Sequence, residues 1–533
     1  MLNYDPAYYP YPSKRNLVYA SRGLCASSHP LATQAGLTVL RRGGNAVDAA
    51  LAIAAALTVV DPANNGPGGD CFAIISQKGK LYGLNSSGFS PALFDLDEVK
   101  RQGHAALPFA GWLPVTVPGA PKGWAELNRR FSKLSLEECF APALELAKGY
   151  ALSPDNAPIL NGMTAQIEKS GLPEVGGWLH AFNPGGKRFR AGDIYALPEL
   201  GQTLSRIAKT NAEDFYAGQT AELIDAFAKK TGGWLRAGDL AAYEARWVDP
   251  LRVNYKGVDV WELPPNGQGL TALVALNILE NLPVSGPQSE ESLHLQMEAI
   301  KLAFADALNY VADPAFMRLS PKALLSKEYA QNRAALIGET AKEYAFGSPS
   351  KGDTVYFCAA DGEGNMISMI QSLYQGFGSR VTVPGTGVAL QDRGACFSMR
   401  EGHANLAAPR KYPYHTIIPA FLTKGEEPLG PFGIMGGYMQ PQAHTQVAMN
   451  LIDFCQNPQA ALDAPRFCWT EGLRFNMEPG FNPATVAALE RRGHQISVLA
   501  NGGYGRGQII LSTGRGSLAG ATEPRADGSV IGF

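Results

Sequence analysis

The sequence predicts an α+β fold in which helices flank β-sheets, because its first part has helical patterns and its middle has strand patterns. Residues 32–60 have the spacing of two helices joined by a turn. From Thr354 to Gly437 strand-like runs dominate, and a helix over Ala443–Cys455 with short α/β alternation ends the chain. The 533 residues can bury a large core, so we expect roughly two to four domains or one large split fold.

The turn Arg41–Asn45 separates the two N-terminal helices. Gly43 or Gly44 suits the end of the first helix, and Asn45 suits the N-cap of the second. The second helix contains the most apolar stretch of the chain, Ala49–Val60. About a dozen residues are too few to span a bilayer, so this stretch is predicted to be a buried core helix.

A glycine-rich loop over Asn64–Asp70 precedes two predicted strands, Cys71–Ser76 and Lys80–Leu84, which a Lys-Gly turn joins. A helical region with proline and glycine interruptions follows. Five of its apolar residues recur at helical spacing and predict a long helix that faces the core: Leu293, Met297, Ile300, Phe304 and Leu308.

The composition excludes several function classes. The net charge is -2 without a basic block, so nucleic acid is not an expected partner. The seven cysteines are odd in number and lack CxxC spacing, which argues against a disulfide framework or a zinc knuckle. The eight histidines contain no HExxH motif and no i,i+4 pair, so we expect no metal, and no other cofactor is implied. Residues 1–20 lack the apolar core of a signal peptide, and we predict a cytoplasmic protein with no membrane partner.

Thr354 stands at an unusual place, between a Pro/Gly/Ser loop and a strand-like run. The loop Ser348–Asp353 precedes it, the run Val355–Ala360 follows, and a turn over Asp361–Asn365 leads to a second strand over Met366–Leu373. Cleavage before Thr354 would give one residue a hydroxyl and a free amine, and the amine could be the base for the hydroxyl. The layout indicates a self-cleaving N-terminal nucleophile enzyme, although a threonine that starts a strand is also an ordinary β-former.

Three other motifs have two interpretations each. The run Gly66-Pro67-Gly68-Gly69 is similar to a phosphate cradle but lacks a following Lys-Ser/Thr, so a tight turn is favoured. His415 is a candidate catalytic or ligand-binding residue, and a hydrogen-bonded structural histidine is the alternative. Cys396 is a candidate nucleophile without an evident activating partner, and a small core residue is the alternative.

Three stretches become informative when they are considered together. They are the run Arg42–Ala50 (RGGNAVDAA), the start Gly352-Asp353-Thr354 with its turn over Asp361–Asn365, and the pair Gly436-Gly437 after Pro413–Pro419. In this order and spacing they resemble the γ-glutamyltranspeptidase family of N-terminal nucleophile hydrolases. The resemblance extends from about Val18 to the end of the chain, and the GGNAVDAA run is highly specific.

The resemblance implies a precursor that cuts itself between Asp353 and Thr354. The products would be a large subunit, 1–353, and a small subunit, 354–533, which together form one interwoven domain. Its fold would be a four-layer αββα sandwich of the N-terminal nucleophile hydrolase type.

The resemblance also implies catalytic roles. Thr354 would be the nucleophile with its own amine as the base, and Ser372 lies where family members keep a hydroxyl that bonds the nucleophile. The N–H groups of Gly436 and Gly437 would form the oxyanion hole, where glycine lets the backbone approach the oxyanion closely.

The residues at the substrate-binding positions differ from the family pattern. Members that act on γ-glutamyl compounds hold the substrate carboxylate with an arginine and its ammonium with an aspartate, and Ser87 and Cys396 match those two positions here. The other matches are His415 and Thr416 for paired serines, Tyr374 for an asparagine and Arg393 for a glutamine.

Both charged residues that would bind the α-carboxylate and the α-ammonium of an amino acid are therefore absent. Loss of a buried charge partner costs about 3–5 kcal/mol, so efficient use of glutathione is not expected. The new cation Arg393, with His415 and Thr416 nearby in the family fold, suits a carboxylate without an ammonium beside it.

We therefore expect an amidohydrolase that acts on a small carboxylate-bearing amide, and within the family the oxamate amidohydrolase type of purine breakdown fits best. One alternative is a glutathione hydrolase, a γ-glutamyltransferase or a cephalosporin-acylase-like amidase. Another is an unprocessed homologue that only binds a ligand. Besides the substrate, the expected partners are the two subunits themselves, and a homo-oligomer of the heterodimer is left open.

Overall fold

The computed structural model describes residues 15–344 and 353–533, with only the backbone of Asp353. Two antiparallel sheets, each seven-stranded within these ranges, form the centre of the molecule. In spatial order, the first sheet contains Val18–Ala20, Leu518–Thr522, Arg506–Ser512, Glu427–Met435, Ala420–Lys424, Val258–Glu262 and Leu251–Tyr255. The second sheet contains Ser529–Gly532, Gly23–Ser27, Asp353–Asp361, Met366–Tyr374, Asp70–Gln77, Lys80–Ser86 and Arg246–Val248. Both sheets combine strands from before and after residue 353.

The remaining strands form small sheets, in which Tyr150–Ala151 pairs with Ile194–Tyr195, Thr382–Val383 pairs with Val388–Ala389, and Phe467–Glu471, Arg474–Met477 and Gln495–Val498 lie side by side. The α-helices surround the two large sheets. They are Pro30–Arg41, Ala46–Val60, Leu96–Arg101, Ala120–Phe131, Leu136–Lys148, Asn156–Ser170, Gly177–Phe182, Pro198–Lys209, Glu213–Ala217, Gln219–Thr231, Ala237–Ala241, Gly269–Leu279, Glu290–Tyr310, Pro321–Leu324, Lys327–Ala334, Met439–Ile452, Pro458–Asp463 and Pro483–Arg491.

Three apolar clusters show how the layers stack. One joins the helices before residue 245 to the outer face of the second sheet. A second lies between the two sheets and includes Phe72, Tyr356, Phe421 and Ile510. A third joins the helices Gly269–Leu279, Glu290–Tyr310 and Met439–Ile452 to the outer face of the first sheet. The order is helices, sheet, sheet, helices, which confirms the predicted α+β fold as a four-layer αββα sandwich.

Most of the predicted elements are present. The first N-terminal helix ends at Arg41 and the second begins at Ala46. Gly43, in the turn between them, has a φ of 96°, which lies in the left-handed region. Every residue of the second helix is buried, as predicted. The apolar spacing around Met297 belongs to the helix Glu290–Tyr310. The helix predicted over Ala443–Cys455 was placed too late, because it spans Met439–Ile452. Pro441 lies in its first turn, where the missing N–H costs no helical hydrogen bond.

Within the two described ranges, no helix combines the length and the apolar character that a membrane crossing requires. The cytoplasmic location stays a prediction.

The cap of the buried helix Ala46–Val60 gives a first test. Asn45 Oδ1 accepts hydrogen bonds from the N–H groups of Val47 and Asp48 at 2.9 and 3.0 Å, and Asp48 Oδ2 accepts from Asn45 N at 2.8 Å. Asn45→Ala should lower the free energy of unfolding by about 1–2 kcal/mol, because it removes the Oδ1 acceptor of two N–H groups at a buried helix end. Denaturant unfolding measures the change. Asn482→Ala, at an exposed cap that accepts from Ala484 N at 2.9 Å, is the control and should cost less; equal losses would contradict the buried-cap argument.

Candidate functional site

Thr354 lies at an irregularity in the second sheet. Asp353 pairs with Tyr374 and Val355 pairs with Gln371, so the register shifts at the threonine. Such bulges redirect a side chain out of the regular alternation of a strand. The Thr354 hydroxyl donates to Ser372 Oγ at 3.1 Å, and Gln440 Nε2 donates to Thr354 Oγ1 at 3.5 Å. The threonine and serine that the sequence singled out are therefore in contact.

Gly436 and Gly437 follow the end of the strand Glu427–Met435 and precede the helix Met439–Ile452. Their φ angles of 132° and 60° both lie in the region that favours glycine. A Cβ atom on Gly436 would approach Gly505 Cα to 3.1 Å. Among the hydrogen bonds of the described residues, neither glycine N–H is a donor, so both are available to an oxygen bound in front of them.

Arg393 is completely buried. Its Nη1 donates to Thr416 Oγ1 at 2.7 Å, and its guanidinium carbon lies 4.4 Å from the ring centre of Tyr374. No hydrogen-bond partner for Nε or Nη2, and no ion pair, is found within residues 15–344 and 353–533. The acid Glu401 pairs with Lys100 at 2.7 Å and not with this arginine. A buried cation with unused N–H donors is costly unless an anion joins it, so this side chain is suited to bind one.

His415 has both ring nitrogens engaged inside the protein. Nε2 donates to Asp70 Oδ2 at 2.9 Å, and Nδ1 accepts from Ile417 N at 3.3 Å. Burial, with Arg393 nearby, lowers the pKa of His415 well below its usual range, so the ring is neutral. These contacts favour the structural interpretation of His415 over direct contact with a ligand.

Ser87 and Cys396 each have contacts inside the protein. Ser87 Oγ donates to Asn85 Oδ1 at 2.7 Å and also contacts Asn266. Cys396 Sγ lies 3.9 Å from Arg393 Nη1, and burial raises the pKa of its thiol. A thiol that resists ionisation is a poor nucleophile, which favours the small-core-residue interpretation of Cys396.

Two buried glutamines that sequence reasoning missed connect the parts of the site. Gln268 Nε2 donates to Thr416 O at 2.6 Å and to Gly437 O at 2.8 Å, and its Oε1 accepts from the Tyr414 hydroxyl at 3.0 Å. Gln440, which contacts Thr354, accepts from Ile418 N at 2.9 Å. A single glutamine forms no recognisable sequence motif. Gln268 also follows a loop that sequence patterns identify only as a turn.

One buried group has the composition of a metal site. His294, Glu298 and His494 place three ligand atoms within 4.8 Å of one another. The atoms are already paired, since His294 Nδ1 lies 2.9 Å from His494 Nε2 and Lys301 Nζ lies 2.5 Å from Glu298 Oε1. The lysine ammonium already balances the charge of the Glu298 carboxylate, so we interpret the group as a buried polar link between the helix Glu290–Tyr310 and residue 494.

A cleft of about 480 Å³ opens beside Gly436. Its walls include Asn64, Gly376, Tyr504 and Arg506. It gives the glycine turn an opening of small-molecule size.

The chain is similar to known proteins over nearly its whole length. Residues 32–533 match the sequence model of the family described as gamma-glutamyltranspeptidase. The chain is 35% identical over 535 residues to a glutathione hydrolase-like proenzyme of Bacillus subtilis, covering 97% of this chain and 99% of that protein. It is 32% identical over 526 residues to an oxamate amidohydrolase proenzyme of Klebsiella pneumoniae, covering 96% and 99%. The crystal structure of a cephalosporin acylase from Bacillus halodurans has a TM-score of 0.97 and 49% identity, covering 100% of this chain and 99% of that one.

The glycine turn gives a second test. Gly436→Ala should reduce kcat about 100- to 1,000-fold, because the strained φ and the contact with Gly505 would move an N–H away from a developing oxyanion. Turnover by the purified variant measures the loss. Gly364→Ala is the control, since its φ of 83° also lies in the left-handed region but its Cβ would meet no atom within 4 Å, in a turn at the far end of the strand Asp353–Asp361. Similar losses in both variants would show that backbone strain alone is responsible.

Proposed function

The chain belongs to the γ-glutamyltranspeptidase family, and from that premise we propose that it cuts itself before Thr354 and then hydrolyses a small carboxylate-bearing amide such as oxamate. Members of the family are amidohydrolases and transpeptidases of the N-terminal nucleophile type, and this chain is an enzyme of that kind. The observation that carries the choice of substrate is the buried Arg393, whose Nε and Nη2 have no partner among the described residues.

Self-cleavage between Asp353 and Thr354 would leave subunits 1–353 and 354–533. The Bacillus subtilis and Klebsiella pneumoniae relatives are proenzymes, which supports such processing. The bulge at Thr354 and the bond from its hydroxyl to Ser372 supply the local geometry. Because each large sheet contains strands from both products, the subunits would remain one interwoven body.

In the proposed reaction, the free amine of Thr354 removes the hydroxyl proton while Oγ1 attacks the amide carbon. The N–H groups of Gly436 and Gly437 stabilise the resulting oxyanion, and Ser372 orients the nucleophile. The carbon–nitrogen bond then breaks, and ammonia leaves with the proton that the amine returns. Water, deprotonated by the same amine, attacks the acyl ester, releases the dicarboxylate and regenerates the Thr354 hydroxyl.

The charges of the site support a carboxylate without an adjacent ammonium. Arg393 can bind a carboxylate through two N–H groups, with Thr416 beside it. Ser87 carries no charge to hold an α-carboxylate and Cys396 carries none to hold an α-ammonium, so a γ-glutamyl compound would lose both of these charged contacts. The rings of Tyr374 and Tyr414 are buried around this region and favour a short substrate.

A second candidate activity is hydrolysis of a longer acyl amide, as in a cephalosporin acylase. The observation that favours it is the 49% identity to the Bacillus halodurans acylase. The length of acyl chain that the site accepts separates the two candidates, because both substrates would place a carboxylate on Arg393.

Processing is tested with Thr354→Ala. The wild-type protein should give two bands on a denaturing gel, and the variant should give one band near full length, because it lacks the attacking hydroxyl. Thr522→Ala, a buried threonine in another strand, should still give two bands. Two bands from Thr354→Ala would show that another residue or a protease makes the cut, and one band from the wild type would favour the ligand-binding alternative.

The substrate is tested with Arg393→Met. Loss of a charged contact should raise KM for oxamate about 100-fold while processing continues, because cleavage involves a backbone carbonyl. Ammonia release is measured for unbranched carboxy amides from oxamate to glutaramate. Arg466→Met is the control, since Arg466 is buried but pairs with Glu523 at 2.9 Å; it should lose thermal stability and keep its KM. An unchanged KM in Arg393→Met would contradict the carboxylate anchor, and a preference for glutaramate would favour the acylase alternative.

A further inference from the structure

Asp70 is the first residue of the strand Asp70–Gln77 and is completely buried. Its Oδ1 accepts from Gly88 N at 3.0 Å, from Gly119 N at 3.1 Å and from Gln391 Nε2 at 2.8 Å. Its Oδ2 accepts from His415 Nε2 at 2.9 Å. One carboxylate therefore holds four separate segments of the chain.

Three of these segments carry a residue of the site. Gly88 follows Ser87, Gln391 precedes Arg393 by two residues, and His415 precedes Thr416. The strand of Asp70 is itself paired with Ser372 through its first residue. The Asp70 carboxylate is therefore linked both to the strand that pairs with Ser372 and to the chain segment that carries Arg393.

We propose that Asp70 is a positioning residue for the substrate carboxylate, acting through His415 and Gln391 on Thr416 and Arg393. Asp70 fixes the position of His415, the next residue Thr416 then accepts from Arg393 Nη1 at 2.7 Å, and Gln391 holds the start of the Arg393 turn. The guanidinium is thereby oriented with its Nε and Nη2 donors unused. This inference rests on the proposed function, in which Arg393 binds the substrate.

An amide could not replace the carboxylate in this role. Ile417 N donates to His415 Nδ1, so Nε2 must carry the ring proton and needs an acceptor opposite it. Oδ1 likewise faces three N–H donors. Asparagine offers one acceptor oxygen, and its NH₂ group would face a donor on one side or the other. Asp70→Asn should therefore turn the His415 ring or change its tautomer and release Thr416.

Kinetics on the processed enzyme form the first test, with oxamate as the probe. Burial raises the pKa of Asp70 to about 7, against the pull of Arg393 and the N–H donors, so the assay is run about one pH unit higher. Asp70→Asn should raise KM about ten- to a hundredfold with a smaller change in kcat, because it misplaces a binding group. An unchanged KM, or equal effects on KM and kcat, would overturn the proposal.

Asp361→Asn is the matched control. Asp361 is also buried and also accepts four N–H hydrogen bonds, from Ala46, Glu363 and Asn365, at the opposite end of the nucleophile strand. It should lower thermal stability to a similar extent and keep the wild-type KM. If both variants raise KM alike, general loosening of the fold explains the effect and the proposal fails.

A spectroscopic test does not depend on the substrate. Nitrogen-15 spectra of histidine-labelled protein, with the His415 signal assigned by its loss in His415→Gln, should show the Nε2–H tautomer in the wild type and a different tautomer or exchange in Asp70→Asn. The same tautomer in both proteins would overturn the inference. If wild-type protein leaves oxamate intact while the tautomer changes as expected, the proposed substrate is wrong and the Asp70–His415 link stands.

Should Asp70→Asn fail to fold, the His415 side of the link supplies the measurement. The amide of His415→Gln can still donate to Asp70, whereas His415→Leu cannot. The glutamine variant should therefore have the lower KM of the two, and equal KM values would overturn the proposal.

Discussion

Backbone pairing between Asp353–Asp361 and Met366–Tyr374 is the constraint on which the site depends. Gly23–Ser27 pairs with the far half of the same strand, so the strand of Thr354 is held between two neighbouring strands. The two sheets approach closely here, since a Cβ on Gly433 would come within 2.3 Å of the Tyr356 ring. The helix that follows the Gly436 turn reaches the threonine, since Gln440 Nε2 donates to Thr354 Oγ1 at 3.5 Å.

The described part of the chain contains two fully buried arginines with opposite surroundings. Arg466 pairs with Glu523 at 2.9 Å; burial alone would raise the pKa of that carboxyl, but Arg466 and Arg525 bring it below its usual value. Arg393 has no such ion pair there and keeps two N–H donors unused. Arg466 uses both terminal nitrogens on protein acceptors and leaves only Nε without a partner among the described residues, whereas Arg393 leaves both Nε and Nη2. In our interpretation this difference suits Arg393 to bind a ligand.

Local patterns predicted the elements but not the connections between them. Asn45, the long helix around Met297 and the strand that begins near Thr354 all follow from periodicity, caps and turns over short windows. The pairing of Asp70 with His415 joins residues 345 positions apart, and the contacts of Gln268 span 146 to 169 positions. No short motif encodes such contacts. The two interpretations of His415 were therefore equal in the sequence, and only the partners of its ring nitrogens distinguish them.

Because each large sheet contains strands from both sides of residue 353, the proposed self-cleavage would change how the protein refolds. A chain that folds before it is cut closes both sheets as an intramolecular process, independent of concentration. Once the bond before Thr354 is gone, any unfolding would turn reassembly into an encounter between two chains, each with half-built sheets and exposed edges. Self-cleavage would therefore make unfolding hard to reverse. The same step that gives the protein its activity would make the return from the unfolded to the folded state much less accessible.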